Sequence, residues 1–472
     1  MSIRGQTLIS QSWVRAALIV GLLLAAAYLG LQPSLRWLIL LALAAGAIVI
    51  AQKPQIGPIL VLLAAIALPI DLNTGTDVAL TVPVLLLPFL MLLAGIRYAT
   101  GQMQLTALKS PVILRLVLFG FAAVLSFAVG YVLWHPAVVK APLVVQLGQL
   151  MIYLLAVGTV FLSAQDFEDI RLLKLAVYLF IAVGGCQILR EFGLPVPVPI
   201  ARDAHGSVFW VWVAAMAGGQ LLFHTSLNAW GKLGLSSVLL LALVWLLSDN
   251  GWLSGWLPVV VTLLVLLFLR FGDRRRWYYV VAVLLIVALM STTIYEFAGG
   301  DAEMQVSGYS RLELYKAVLQ DVWKRPILGL GMTAYRYYHY QQPLMYKNTL
   351  WFDPRISSHN DYIDVFAQTG LLGLGTLLWA LGTLGKRGWR LTQSPEIRGD
   401  GFAQGYVNGA LAGMAGTAIS GLLGNWVLPF IYNGGFTGFR ASLVGWIFMG
   451  GLVALDMRSS RIHEEVEGGD ST

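Results

Sequence analysis

Two side chains stand out as able to do chemistry together, His359 and Arg311. An imidazole titrates close to neutrality, so it can take a proton from an attacking hydroxyl. A guanidinium stays charged, is planar, and grips phosphate oxygens two at a time. Arg311 opens an amphipathic pattern, and His359 begins His359-Asn360-Asp361, directly before a long apolar stretch. Arg190 and Arg202 flank the segment 191–206, and Arg336 and Arg355 lie between Arg311 and His359. Arginines on one face without a matching run of acids ask for an anionic partner, and a lipid pyrophosphate would give all of them one purpose. The plainer reading stays open beside this one. Asp361 and Asp364 would complement the positive end of a helix. His359 would be a cap or a surface imidazole, and each exposed Arg would simply be solvated. His205 and His339 have no clear partner and read as interfacial.

Other chemistries find little support. The 6 histidines are scattered, and no HExxH, DxD or Cys/His cluster is present, so no metal is expected. No cofactor is expected either. A Walker sequence, GxGxxG and GxSxG are absent too, which argues against a nucleotide-driven pump. The single cysteine, Cys186, excludes an internal disulfide and reads as a small buried hydrophobe.

The elements that must carry these residues are membrane helices. Of 472 residues, 58% are hydrophobic and 12% charged, against roughly 25% charged in soluble domains. A soluble fold would need a core with almost no skin; a bilayer removes that constraint. Fifty glycines suit close helix packing, and 16 Trp with 18 Tyr suit interfacial belts. A span needs about 20 mostly apolar residues. Candidates are 14–31, 35–51, 56–70, 80–96, 112–133, 143–162, 170–189, 207–224, 234–248, 256–271, 277–295, 361–385, 403–424 and 436–455. The expected fold is an all-α integral membrane protein of about 12–14 transmembrane helices, with one large extracytoplasmic loop.

Placing the N-terminus in the cytoplasm puts most Lys and Arg inside. It leaves Arg36, Lys140, Arg190, Arg202 and Arg440 for the short outer loops. This asymmetry predicts both termini inside and the long loop outside. It also accounts for the net charge of +7 without nucleic acid. The expected organisation is a helix bundle at 1–295, the loop at 296–360, further membrane helices at 361–455, and a charged, disordered cytoplasmic tail at 456–472. Within the loop, Tyr309 to Lys324 reads as an amphipathic helix with Leu312, Tyr315, Val318, Leu319 and Val322 on its apolar stripe. Ser310 is its expected N-cap, and Pro326 stops it. The stretch Ile327 to Gly331 is a glycine-broken turn, and the aromatic run Tyr335 to Tyr340 suits the membrane interface.

These pieces together resemble a known family. The sequence reads S-R-x3-Y-x7-W-x2-P-I-L-G-L-G from Ser310, and then S-H-N-D-Y-I-D-V-F-A-Q-T-G-L-L-G from Ser358. That combination is similar to the O-antigen ligase / O-antigen polymerase family of bacterial envelope glycan enzymes, best over residues 235–385. Three departures stand out. Ser248-Asp249-Asn250-Gly251 lacks an Arg often found there. Gln368-Thr369 replaces a usual acid. Phe209-Trp210-Val211 follows Arg202 where N-P-N is common.

The resemblance implies a metal-independent, inverting glycosyltransferase of the inner membrane, acting in lipopolysaccharide biosynthesis on its outer face. Its donor would be a glycan on undecaprenyl pyrophosphate. Its acceptor would be a lipid A–core sugar for a ligase or a growing glycan for a polymerase. It implies that Arg311 with Arg202 or Arg190 holds the pyrophosphate, that His359 deprotonates or orients the acceptor, and that Asn360, Asp361 and Arg336 support them. Beyond such an enzyme, the span count also admits a transporter or flippase, and a non-enzymatic assembly scaffold would leave His359 dispensable.

Overall fold

Four of the described helices start where a side chain supplies an oxygen for the unpaired N–H groups of the first turn. Ser110 accepts from the Val112 amide, with Pro111 following it, at the start of α3 (Pro111–Gly130). Asp169 accepts from Arg171 N at the start of α5 (Ile170–Glu191). Asn360 accepts from Tyr362 N and Ile363 N at α10 (Asp361–Leu391). Asp400 accepts from Phe402 N and Ala403 N at α12 (Gly401–Leu423). Between the caps the helices are apolar on almost every face, as lipid-facing helices are.

The computed structural model describes residues 52–73, 79–132, 141–196, 206–248, 253–271, 278, 281, 285, 309–333, 344–346, 349–351 and 358–469. The remaining helices are α1 (Gly57–Ala67), α2 (Val82–Ala99), α4 (Leu143–Asp166), α6 (Ser207–Phe223), α7 (Ala229–Ser248), α8 (Leu253–Arg270), α9 (Tyr309–Val322), the short α11 (Pro395–Gly399) and α13 (Gly435–Gly469). Two small antiparallel hairpins complete the set. In one, β1 (Asp71–Asn73) pairs with β2 (Ala79–Thr81). In the other, β3 (Leu344–Tyr346) pairs with β4 (Thr349–Trp351), with Met345 opposite Leu350. The chain divides into the units Met1–Gln55 and Ile56–Thr472, and the helices and hairpins named here lie in the second.

The protein is an all-α polytopic membrane protein. Among the described residues, 8 helices are long and apolar enough to cross a membrane. Each expected span from 56–70 to 256–271, and from 361–385 to 436–455, corresponds to one helix. Those at 14–31 and 35–51 lie outside the described residues, as does 277–295 apart from residues 278, 281 and 285. Two hairpin strands within the 296–360 region were not foreseen.

Close packing follows the glycines. Gly405, Gly409 and Gly413 recur at four-residue spacing on α12 and lie against α6, where a Cβ on Gly409 would come within 2.6 Å of the Ala215 carbonyl oxygen. Small residues at this spacing let two backbones approach, and dispersion then replaces a hydrophobic drive that lipid cannot supply. Trp212 Nε1 donates to Thr417 Oγ1 across the same contact at 3.0 Å.

Four expectations are corrected. Leu312 is 49% exposed, and the buried stripe of α9 is instead Leu314, Val318 and Val322, packed with Leu330, Phe366 and Ala367. More than one column of α9 is apolar, and its partner α10 selects which one is covered. Helix α9 begins at Tyr309, so Ser310 lies inside the first turn and not ahead of it. The tail is not disordered up to Gly469, because α13 continues through it. An ion pair from Arg387 to Asp456, 2.7 Å, ties this extension to α10. Arg440, counted with the outer loops, is 1% exposed within α13 and pairs with Asp71 at 2.6 Å. A guanidinium removed from water must be paired or it destabilises the fold.

Candidate active site

The site is built around the first turn of α10. Ser358-His359-Asn360 turns sharply into the helix, and His359 takes a left-handed backbone, φ +52°. A non-glycine residue there is uncommon and costs on the order of 1 kcal/mol or more. The surroundings enforce it. Ser358 Oγ donates to Asp364 Oδ1 at 2.5 Å. The Ser358 amide donates to the same oxygen at 3.4 Å, and the Asn360 amide donates back to Ser358 Oγ at 3.2 Å. Asn360 therefore caps the helix, a role the sequence left open to His359, and its side chain also bonds the Tyr315 hydroxyl of α9.

The two buried acids of that first turn hold a second segment. Asp361 accepts the amides of Val427 at 2.9 Å and Leu428 at 3.2 Å, one on each carboxylate oxygen. Asp364 accepts from the side-chain amide of Asn425, whose oxygen in turn accepts from Asn433 Nδ2 at 3.3 Å. The turn between α12 and α13 is thus pinned against α10. Helix-dipole complementarity, the bland reading, is present as well, but it does not explain why both carboxylates reach the same turn.

Helix α9 brings Arg311 to this place. Its Nη1 donates to the Leu423 carbonyl at 3.3 Å. Behind it, the glycine-broken turn 326–331 locks onto α10 through backbone bonds. Leu330 N donates to Ala367 O at 2.8 Å, Gly331 N to Gln368 O at 3.2 Å, Leu371 N to Pro326 O at 2.8 Å, and Leu372 N to Ile327 O at 3.0 Å. This contact requires glycine on both sides. Gly370 has φ +64°, and a Cβ there would sit 2.3 Å from Ile327 O; Gly329 has φ +72°, and its Cβ would sit 2.6 Å from the Gly370 nitrogen. Gln368, standing where the family's acid is usual, is buried. It donates to the Tyr153 hydroxyl at 2.9 Å and accepts from the Thr333 amide at 3.2 Å, so it joins α4 to the turn after α9.

Arg311 and His359, 48 positions apart in the chain, line one cavity of 430 Å³. Ser207, Trp210, Trp245, Trp256, Asn425, Trp426 and Asn433 line it too. These residues come from the start of α6, the end of α7, the start of α8, the start of α9, the turn into α10 and the turn between α12 and α13, so the cavity lies at one end of the bundle. Arg311 is the one charged side chain among the described residues lining it, since Asp361 is turned toward the 427–428 amides and Asp364 toward the Asn425 side chain. Burial first, and the Arg311 charge second, push the His359 imidazole down to about 4. At neutral pH it is therefore uncharged and able to accept a proton. The wall combines one cation, one neutral imidazole and two amides, which suits an anion beside a hydroxyl. Among the described residues, no group of three or more His, Cys, Asp or Glu is arranged to hold a metal ion.

A second cleft, of 300 Å³, begins at Asp361 and Tyr362 and runs between α10, α12 and α13. Leu377, Leu381, Leu411, Met414 and Met449 line it.

Residues 234–378 match the family model described as O-antigen ligase. Over this segment the chain is similar to that family. The match contains Arg311, the 326–331 turn and His359 through Gly373, the pieces on which the resemblance rests. No curated relative matches the chain. Similarity to the O-antigen ligase type points to a glycan-processing membrane enzyme of the ligase or polymerase kind, acting on a lipid-linked glycan in a membrane setting.

The other expected site residues divide. Asn360 and Asp361 adjoin His359. Arg190 closes the last turn of α5 and is not among the residues lining the cavity. Arg202, Arg336, Arg355, His205 and His339 lie outside the described residues. Missed in the sequence were Asn425, Asn433 and the tryptophans of the cavity wall. The signal that could have found them is Gly424-Asn425-Trp426, polar and small residues at the end of an apolar helix.

Proposed function

We propose that the cavity is a glycosyl-transfer site, taking a glycan from undecaprenyl pyrophosphate to an acceptor hydroxyl on the outer face of the cytoplasmic membrane. The convergence of Arg311 and His359 on one cavity carries this reading. Arg311 holds a pyrophosphate oxygen and offsets the charge that develops as the leaving group departs, often the largest catalytic term. His359 takes the proton of the acceptor hydroxyl. The acceptor oxygen attacks the anomeric carbon from the face opposite the pyrophosphate. The new C–O bond forms as the bond from that carbon to the phosphate oxygen breaks, which inverts the sugar. The proton ends on the imidazole, and the electron pair of the broken bond leaves on undecaprenyl pyrophosphate.

The apolar cleft beginning at Asp361 and Tyr362 supports the same reading, because a polyprenyl chain entering sideways from the bilayer needs a dry path close to the site. Arg202, Arg336 and Arg190 are reserve contacts for the phosphates or the acceptor. The division into a helix bundle at 1–295, the outer loop at 296–360, helices at 361–455 and a cytoplasmic end at 456–472 is the organisation this reading uses, although the cavity draws on the first three. The acceptor we favour is a lipid A–core sugar, the ligase case; a growing glycan, the polymerase case, uses the same groups.

The test is a gel of lipid-linked and envelope-linked glycan from cells lacking this gene, rescued by wild type or His359→Ala. Full-length polymer stranded on the carrier means ligase, and single repeat units on the acceptor mean polymerase. Unchanged glycan, or full rescue by the variant, sinks the enzyme reading and revives transport or scaffolding.

A further inference from the structure

Four tryptophans from four separate elements line the cavity of Arg311 and His359: Trp210 on α6, Trp245 on α7, Trp256 on α8 and Trp426 in the turn after α12. Interfacial anchoring describes other tryptophans of this chain, such as Trp230, 79% exposed, and Trp323, 66% exposed. It does not describe these four, which face a shared space. A pyrophosphate has no use for indole walls, so the anion accounts for Arg311 and leaves the aromatic side of the cavity unexplained.

The indoles are held firmly. Trp210 is buried, with Phe209 edge-on at 5.0 Å between centroids and Trp245 at 5.1 Å with rings tilted 43°. Trp256 is buried as well. Trp426 lies over Gly206, where a Cβ would come within 2.7 Å of the indole, and over Gly424. Trp245 and Trp426 are the half-buried pair, so they present ring surface to the space, with Trp210 and Trp256 set deeper. Asn425 and Asn433 add amide groups to the rim.

A ligand matching this wall has a flat apolar face and a hydrogen-bonding edge. A pyranose has both, with axial C–H bonds on its faces and hydroxyls around its rim. Ring surface fixed before binding loses little entropy on binding, and aromatic side chains give contact area with few rotatable bonds. We propose that Trp245 and Trp426 form a subsite for the pyranose ring that is transferred, holding it face-on so that its anomeric carbon lies between Arg311 and His359. These are positioning and specificity residues. The proposal rests on the reading of the cavity as the donor site.

The test uses the full chain purified into lipid nanodiscs and three probes: bare undecaprenyl pyrophosphate, the same carrier bearing one N-acetylglucosamine, and a free N-acetylglucosamine trisaccharide. Wild type is expected to bind the sugar-bearing carrier roughly tenfold tighter than the bare one, about 1.4 kcal/mol. Trp245→Ala should erase that preference and leave bare-carrier affinity unchanged, while Trp245→Phe, which keeps the fold and an aromatic face, should retain most of it. A preference that survives Trp245→Ala, or a loss shared equally by both carriers, overturns the subsite and leaves the pyrophosphate reading standing. If neither carrier binds wild type but the free trisaccharide binds in a Trp245-dependent way, the subsite stands and the donor reading fails. If none of the three binds, the subsite is overturned.

Discussion

His359 and His224 are the same residue in two different uses. Both sit just outside helices, at opposite ends of the bundle. Burial lowers both imidazoles, and a neighbouring cation, Arg311 or Lys174, lowers each further. His224 commits both ring nitrogens to its surroundings. Its Nδ1 lies 2.8 Å from Gln220 Oε1 and 3.2 Å from the Tyr178 hydroxyl, and its Nε2 lies 3.1 Å from Ser226 Oγ. It lines neither cavity described above. His359 faces a cavity together with an Arg and sits on a left-handed backbone. A neutral, buried histidine therefore does not mark a site by itself. Space for a substrate and a cation on the same wall separate the two.

The sharpest way to break this contrast is to remove each ring. His359→Ala should lower transfer by about 10²–10⁴, the usual worth of a positioned acid–base group, with membrane levels of the protein unchanged, read from the glycan gel. His224→Ala should do the reverse. A lost buried hydrogen-bond set costs about 1–3 kcal/mol, visible as a lower unfolding temperature in detergent, while activity per folded molecule stays near wild type. If His224→Ala were the inactive variant, the site would have to move to the other end of the bundle.

Arg311→Lys should lose roughly tenfold or more in activity, because the charge survives and the planar fork does not. Near-normal turnover by that variant would rule out bidentate grip on the pyrophosphate. Gly370→Ala is expected to act on folding before chemistry, since its Cβ would collide with the Ile327 carbonyl. The predicted readout is little protein in the membrane, and wild-type protein levels would show that the 326–331 turn can move aside.

The smallest effect concerns pH. His359 must be neutral to accept a proton, so activity falls as pH drops through its pKa, about 4 in the free protein. Arg311 lowers that pKa, so Arg311→Gln should move the acid limb of the residual activity to higher pH. Bound pyrophosphate should do the same by offsetting the Arg311 charge. An acid limb that stays in place in the variant would separate His359 from the titrating group.

Much of this was legible in the chain. Among the described residues, the span starts were found within a few residues because hydropathy acts locally: a helix in lipid must be apolar along its length whatever its neighbours. Arg311, His359, Asn360 and the glycine-broken turn 327–331 were legible as one group because motif and spacing persist without knowledge of distance. The buried column of α9 was misread for the opposite reason. Leu312 and Leu314 are equally apolar, and only Phe366 and Ala367 of α10 decide which is covered. Arg440 looked like an outer-loop charge because its partner, Asp71, is 369 residues away in the chain.

Composition and local pattern thus determined the solvent of this protein, its helices and the two residues proposed to carry its chemistry. Those properties depend on each residue and its near neighbours. Which indoles share a space with Arg311, and which carboxylates hold a turn in place, depends on contacts between helices far apart in sequence, with no local trace in composition or periodicity. Those assignments belong to the tertiary structure alone.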